Sequence, residues 1–156
     1  MAVGRVAQWP SPEPAHQFFR ARLACETDPA DVRADLSAAD GGEPAFVLID
    51  ARPRDAFADA HLPGAISLPH AEILPEAVEW LPKDRPVVTY CWSISCNAGV
   101  KAAAALSALG YRVKEMIGGI EAWRAEGYPI ESGGTNAAQR SAAGPQSGAA
   151  DVECAC

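Results

Sequence analysis

Two thiols stand in the stretch VVTYCWSISCNAGVKAAAALSALG, residues 87 to 110, at Cys91 and Cys96. The thiolate, not the thiol, is the nucleophile and the metal ligand, so the surroundings of each sulfur decide its chemistry. The β-branched run Val87-Val88-Thr89-Tyr90 leads into Cys91, and an alanine-rich run leads from Ala98 to Leu109 and stops at Gly110. That pattern predicts a strand, a short loop and a helix. A cysteine at this junction faces loop N–H groups and the positive end of a helix dipole, and both favour its anion. Cys91 is therefore expected to have a lowered pKa and to act as a nucleophile. The backbone of Trp92, Ser93, Ile94, Ser95, Cys96 and Asn97 is expected to form an anion-binding wall beside it. The competing reading makes Cys91 a small buried core residue at a strand end, and position alone leaves the two balanced.

Metal chemistry fits poorly. The Cys91/Cys96 and Cys154/Cys156 spacings match no standard zinc pattern, and no histidine accompanies them. No metal and no cofactor are expected. The total of 5 cysteines is odd, which argues against a structural disulfide framework. Glu153-Cys154-Ala155-Cys156 reads as two exposed cysteines on a tail. The formal net charge is -7, and the 13 Lys and Arg are scattered, which disfavours nucleic acid and anionic membranes as partners. MAVGRVAQWPSPEP holds no apolar run of signal-peptide or membrane-span length, so a cytoplasmic chain is expected.

The elements that must position the thiols follow from the rest of the chain. Ser11-Pro12-Glu13-Pro14 marks a helix start, with Ala15, Phe18, Phe19 and Leu23 on one apolar face. Leu23 to Glu26 reads as a short edge strand. Asp28-Pro29 caps a second helix running to about Ala39. Phe46 to Ile49 and Val87 to Tyr90 are continuous apolar runs of strand length, as expected for strands buried on both faces of a parallel sheet. Between them a helix over 53–60, a strand over 65–68 and a helix over 71–80 are expected. A strand over 112–117, the turn Gly118-Gly119 and a last helix ending near Gly127 follow. Strands alternating with helices predict an α/β doubly wound domain. Residues 1–10 read as an N-terminal extension and 11–131 as the domain. Residues 132–156 read as a low-complexity tail, expected to be disordered and lacking apolar residues to dock.

Several of these residues together resemble the rhodanese-like single-domain sulfurtransferases. Asp50-Ala51-Arg52 after the first long strand is similar to the family's D-x-R. Phe57 followed by His61-Leu62-Pro63-Gly64-Ala65 resembles its F/Y and H-I-P-G-A. Cys91 closes a strand where the family has its catalytic cysteine. Gly118-Gly119-Ile120-Glu121-Ala122-Trp123, then Gly127-Tyr128-Pro129, resembles its G-G-x-x-x-W…G-x-P ending. The resemblance covers residues 45–130. It implies a rhodanese-like fold, a five-stranded parallel sheet flanked by helices on both faces. It implies sulfur transfer through a Cys91 persulfide held by the loop amides. The donor would be thiosulfate or an organic persulfide, and the acceptor a thiol, cyanide or a protein thiol. Asp50, Arg52 and His61 are expected to support the loop structurally, and Trp123 to pack in the core. His16 and His70 receive no role.

The loop departs from the common C-x-x-G-x-R-S form. Cys96 occupies the Arg position and Asn97 the Ser position. It is similar to the variant C-W-G-P-G-C-N-G, with Ser93, Ser95 and Ala98 in place of glycines. If those positions require positive φ, the loop is strained or differently shaped. Without the Arg, Cys96 is a candidate resolving thiol. Two alternatives to the enzyme remain at this level: a redox switch using a Cys91–Cys96 disulfide, and a non-catalytic rhodanese-like binding module. Phosphatase chemistry is disfavoured, since it needs an Arg clamp.

Overall fold

The computed structural model describes residues 8–134. The calls on the first seven residues, on 135–156 and on Cys154 and Cys156 lie outside the described residues. The order is α1 (Pro12–Cys25), β1 (Glu26–Thr27), α2 (Pro29–Ala38), β2 (Val47–Asp50), α3 (Arg54–Asp59) and β3 (Ile66–Ser67). After two 3-10 turns, His70–Glu72 and Glu76–Val78, come β4 (Val87–Tyr90), α4 (Ala98–Ala108), β5 (Val113–Met116) and α5 (Gly119–Ala125). The five strands form one parallel sheet in the order β1-β5-β4-β2-β3.

Every residue of β2 and β4 is buried, as their unbroken apolar runs require. Side chains alternate between two cores. Val47, Ile49 and Val87 pack with Ala102 and Leu106 of α4, while Leu48, Val88 and Tyr90 pack with Phe57 of α3 and Ile120 and Trp123 of α5. Helices thus cover both faces, as expected. Trp123 is fully buried and donates from Nε1 to the Pro129 carbonyl at 2.8 Å.

Three expectations are corrected. The helix expected over 71–80 is two 3-10 turns, because Pro69, Pro75 and Pro82 punctuate the segment and a residue preceding proline is driven out of the helical region. The edge strand expected over 23–26 is Glu26–Thr27, because α1 continues through Cys25. The apolar face of α1 is not buried: no residue of that helix is, and Phe18, Phe19 and Leu23 are exposed. The Asp28 cap is present, its carboxylate accepting from the Asp31 N–H at 2.9 Å. Among the described residues no helix is long and apolar enough to cross a membrane.

Candidate active site

The loop from Cys91 to Asn97 leaves the carboxyl end of β4, the central strand, and enters α4, as the sequence pattern predicts. Asp40 is the one non-glycine with positive φ among the described residues. Ser93, Ser95 and Ala98 therefore stand in ordinary backbone, and the loop is shaped without the strain that three lost glycines would imply. A turn closes it, with the Cys96 N–H donating to the Ser93 carbonyl at 3.1 Å and the Ser95 N–H to Ser93 Oγ at 3.2 Å.

The start of α5 clamps this loop from outside. The Ile120 N–H donates to the Cys91 carbonyl at 2.9 Å and the Glu121 N–H to the Trp92 carbonyl at 3.0 Å. Gly119 makes the approach feasible. Its φ is +59°, and a Cβ there would lie 2.3 Å from the Cys91 carbonyl oxygen.

Below the loop is a buried polar tie. Asp50 and Arg52 are essentially inaccessible, and Arg52 Nη2 meets Asp50 Oδ2 at 2.6 Å and the Ala60 carbonyl at 2.6 Å. The Arg52 N–H also donates to Asp50 Oδ1 at 3.0 Å. Tyr90 Oη donates to Asp50 Oδ2 at 2.6 Å and accepts from the Leu62 N–H at 3.1 Å. Burial, then the Asp50 carboxylate, holds the Tyr90 hydroxyl well above its ordinary pKa. Trp92 covers the Arg52 guanidinium, whose carbon is 4.4 Å from the ring centroid. His61 stacks on Phe57 with ring centroids 3.8 Å apart, and its Nδ1 lies 2.8 Å from the Phe57 carbonyl. Because a carbonyl only accepts, that nitrogen carries the proton. Asp50 and Arg52 thus lie beneath Trp92 of the loop, while His61 packs on Phe57.

Both loop thiols are free, and they interact. Cys91 is 3% exposed, and its Sγ–H donates to the Cys96 carbonyl at 3.1 Å. The expected lowering of its pKa does not occur. Burial pushes the Cys91 thiol up to about 11, outweighing the Gly99 and Ser93 N–H groups that favour its anion. Helix dipole and loop amides are legible in the sequence; burial of the sulfur in the core with β2 and α4 outweighs them. Cys96 moves the other way. Burial disfavours its thiolate too, but the Ala98 and Trp92 N–H groups and the Cys91 thiol outweigh it, so its pKa lies below the ordinary thiol value. The loop amides therefore serve a pair of sulfurs, and the charge resides first on Cys96.

A cleft of about 240 Å³ opens at the two sulfurs, lined by Ser93 and Val100 and by Arg22, Glu26 and Glu115. These last three were not anticipated. Glu115 breaks the apolar pattern of its strand, the one hint available in sequence. Its partners across the sheet are Glu26 on β1 and Thr89 on β4, so all three side chains share one face. Thr89 Oγ1 donates to the Gly99 carbonyl at 3.0 Å, which identifies that face as the α4 side. Gly99 makes room for the carboxyl, since a Cβ there would lie 2.8 Å from Glu115 Oε1. Burial and the neighbouring Glu26 raise the Glu115 pKa. Arg22 pairs with Glu26 at 3.0 Å. On the other side of Cys96 a second cleft is lined by Arg52, Arg54, His70 and Trp92; there Arg54 is paired with Glu72. A larger groove near the amino ends of β4 and β5 has no cysteine in its lining. Among the described residues no three His, Cys, Asp or Glu side chains are grouped as a metal site.

Comparison with known proteins places this geometry. The chain is 35% identical over 86 residues to an HTH-type transcriptional regulator of Mycobacterium tuberculosis, a match covering 55% of this chain and 38% of the regulator. It is 39% identical over 85 residues to a sulfurtransferase of Allochromatium vinosum, covering 54% of this chain and 77% of that one. The match to the regulator thus spans well under half of that protein's length. Among solved structures, the BH2092 protein of Bacillus halodurans superposes with a TM-score of 0.72 at 34% identity, over 85% of this chain and 100% of that one. The model of the rhodanese-like domain matches residues 31–126. The chain belongs to the rhodanese-like domain family.

Proposed function

We propose that the protein is a sulfurtransferase that carries sulfane sulfur as a persulfide on Cys91. The observation that carries this reading is the place of Cys91, in a loop between the end of the central strand and the start of α4, where the backbone of Ser93 and Gly99 favours its anion. A terminal persulfide anion is a soft monoanion, and fixed backbone N–H groups suit it without a side-chain cation. The sulfurtransferase relative of Allochromatium vinosum supports the reading.

The raised Cys91 pKa gives Cys96 a task. Its thiolate takes the Cys91 proton as Cys91 attacks the outer sulfur of the donor. With an organic persulfide R–S–SH, the Cys91–S bond forms and the R–S–S bond breaks. The bonding pair leaves with R–S⁻, which takes the persulfide proton, so Cys91–S–S⁻, Cys96–SH and R–SH result. Transfer to an acceptor thiolate or cyanide returns the pair to its starting state.

Intact mass after incubation with a sulfane donor tests this directly. The expected outcome is a gain of one sulfur atom, removable by cyanide, that Cys91→Ser abolishes with the fold retained. Labile sulfur on the Ser variant would place the carrier elsewhere. The mutual contact of the two thiols supports a second reading, a reversible Cys91–Cys96 disulfide switch. Loss of two hydrogens without gain of sulfur is its signature. No mass change with any donor or oxidant favours a binding module instead.

A further inference from the structure

We propose that Glu115, with Glu26 beside it, selects against dianionic sulfur donors, so that the cleft takes organic persulfides, which bring a single charge at most. This rests on the sulfurtransferase reading and names its substrate class.

Geometry carries the inference. Glu26 and Glu115 are direct cross-strand partners and point into the cleft that contains Cys91. Arg22, the cation in that lining, is already bound to Glu26 through Nε at 3.1 and 3.0 Å and through Nη2 at 3.0 Å. One carboxylate, Glu115, is left uncompensated, and it lies against the first turn of α4 over Gly99. No Arg or Lys occurs from Cys91 to Val100. A dianion such as thiosulfate therefore meets repulsion where a loop cation would supply attraction. The rim is apolar: Ile94 is 88% exposed and Val100 50% exposed, a surface suited to an organic group. In the exchange written above, the organic persulfide brings at most the one charge of its terminal sulfur past Glu115, and the thiol R–SH leaves uncharged.

The test separates cleft charge from sulfur transfer. Iodoacetate and iodoacetamide are applied at about pH 8, where a carboxylate is ionised, and labelling of each cysteine is read by peptide mass. Exposed Cys25 on the same chain is the internal reference. The acetate-to-acetamide ratio at the loop cysteines is expected to fall below that at Cys25. Glu115→Gln is expected to raise it about threefold, the screened effect of one charge at cleft distances. Glu26→Gln, which releases Arg22, should act in the same direction and guards against a variant that fails to fold. For loading, the wild type should take sulfur faster from an alkyl persulfide with an uncharged R group than from thiosulfate. Glu115→Gln should narrow that gap about threefold, since thiosulfate carries one charge more than the persulfide anion. An unchanged ratio in both variants overturns the proposal, as it would if the anionic probe entered by the Arg54 side. Preference of the wild type for thiosulfate also overturns it. A shifted alkylation ratio with no sulfur loaded from either donor confirms the cleft charge and instead overturns the sulfurtransferase reading, and the substrate class with it.

Discussion

Cys91 and Cys96 share one set of loop amides and divide it unequally. The buried sulfur keeps its proton, while the half-exposed one is the first to give its proton up. The sign of the pH dependence follows. Alkylation needs the thiolate, so near pH 7.5 iodoacetamide should label Cys96 before Cys91. Labelling of Cys91 should climb as pH rises toward its pKa of about 11. Tryptic mapping of a short time course decides it, and Cys91 labelled first would refute the assignment. Cys96 is also placed to attack a persulfide or sulfenate on Cys91 and close a disulfide. Cys96→Ser should therefore load sulfur more slowly at neutral pH, because the base is gone, yet hold the persulfide longer. Under peroxide, Cys91 should pass to the sulfinic acid faster in that variant. Equal persulfide lifetimes and equal over-oxidation in the two proteins would remove the protective role. The sequence supplied both cysteines and the amide wall. It did not supply the desolvation of Cys91, which packs in one core with Val47 and Ile49 of β2 and Ala102 of α4.

At the scale of elements, the turn between β5 and α5 matters as much as the thiol loop. Gly118 and Gly119 both have positive φ, and a side chain on Gly119 would strike the Cys91 carbonyl. Gly119→Ala combines a left-handed alanine, about 1–2 kcal/mol, with overpacking against backbone, about 1–3 kcal/mol. A loss of about 2–4 kcal/mol is expected, seen as a lower urea midpoint at unchanged slope. It should come with slower sulfur loading, because relief of the clash moves Cys91. A loss below about 0.5 kcal/mol would show that the clamp is loose. The glycine pair was legible as a turn, but not its contact with the loop, because hydrogen bonds from α5 to Cys91 and Trp92 join segments distant in sequence. The two 3-10 turns stand where a helix is expected for a local reason: Pro75 and Pro82 outweigh the helix-forming residues between them.

For the whole molecule, the described sheet closes well before residue 134. Both cores are complete by Ile130, and the last tertiary ties among the described residues are Glu131 pairing through its backbone with His61 and the Gly133 N–H on the Ala58 carbonyl. A chain ending at residue 134 is expected to keep its melting temperature and its sulfur loading; a drop of several degrees would mean that residues beyond 134 pack on the domain. The strands, their burial, α4 and the position of Cys91 were readable because local signals suffice for them. Apolar runs demand two covered faces, an alanine run propagates a helix, and a β–α junction exposes N–H groups. Even the Asp50–Arg52 pair was foreseeable, since the two residues are close along the chain. Only the tertiary structure decided the order β1-β5-β4-β2-β3, which brings Glu26 and Glu115 beside the thiols. It alone linked Tyr90 to Asp50 and left α1 with its aromatic residues exposed. Charge in a cleft and the pKa of a buried sulfur are sums over neighbours from several elements, and no single stretch of sequence contains those neighbours.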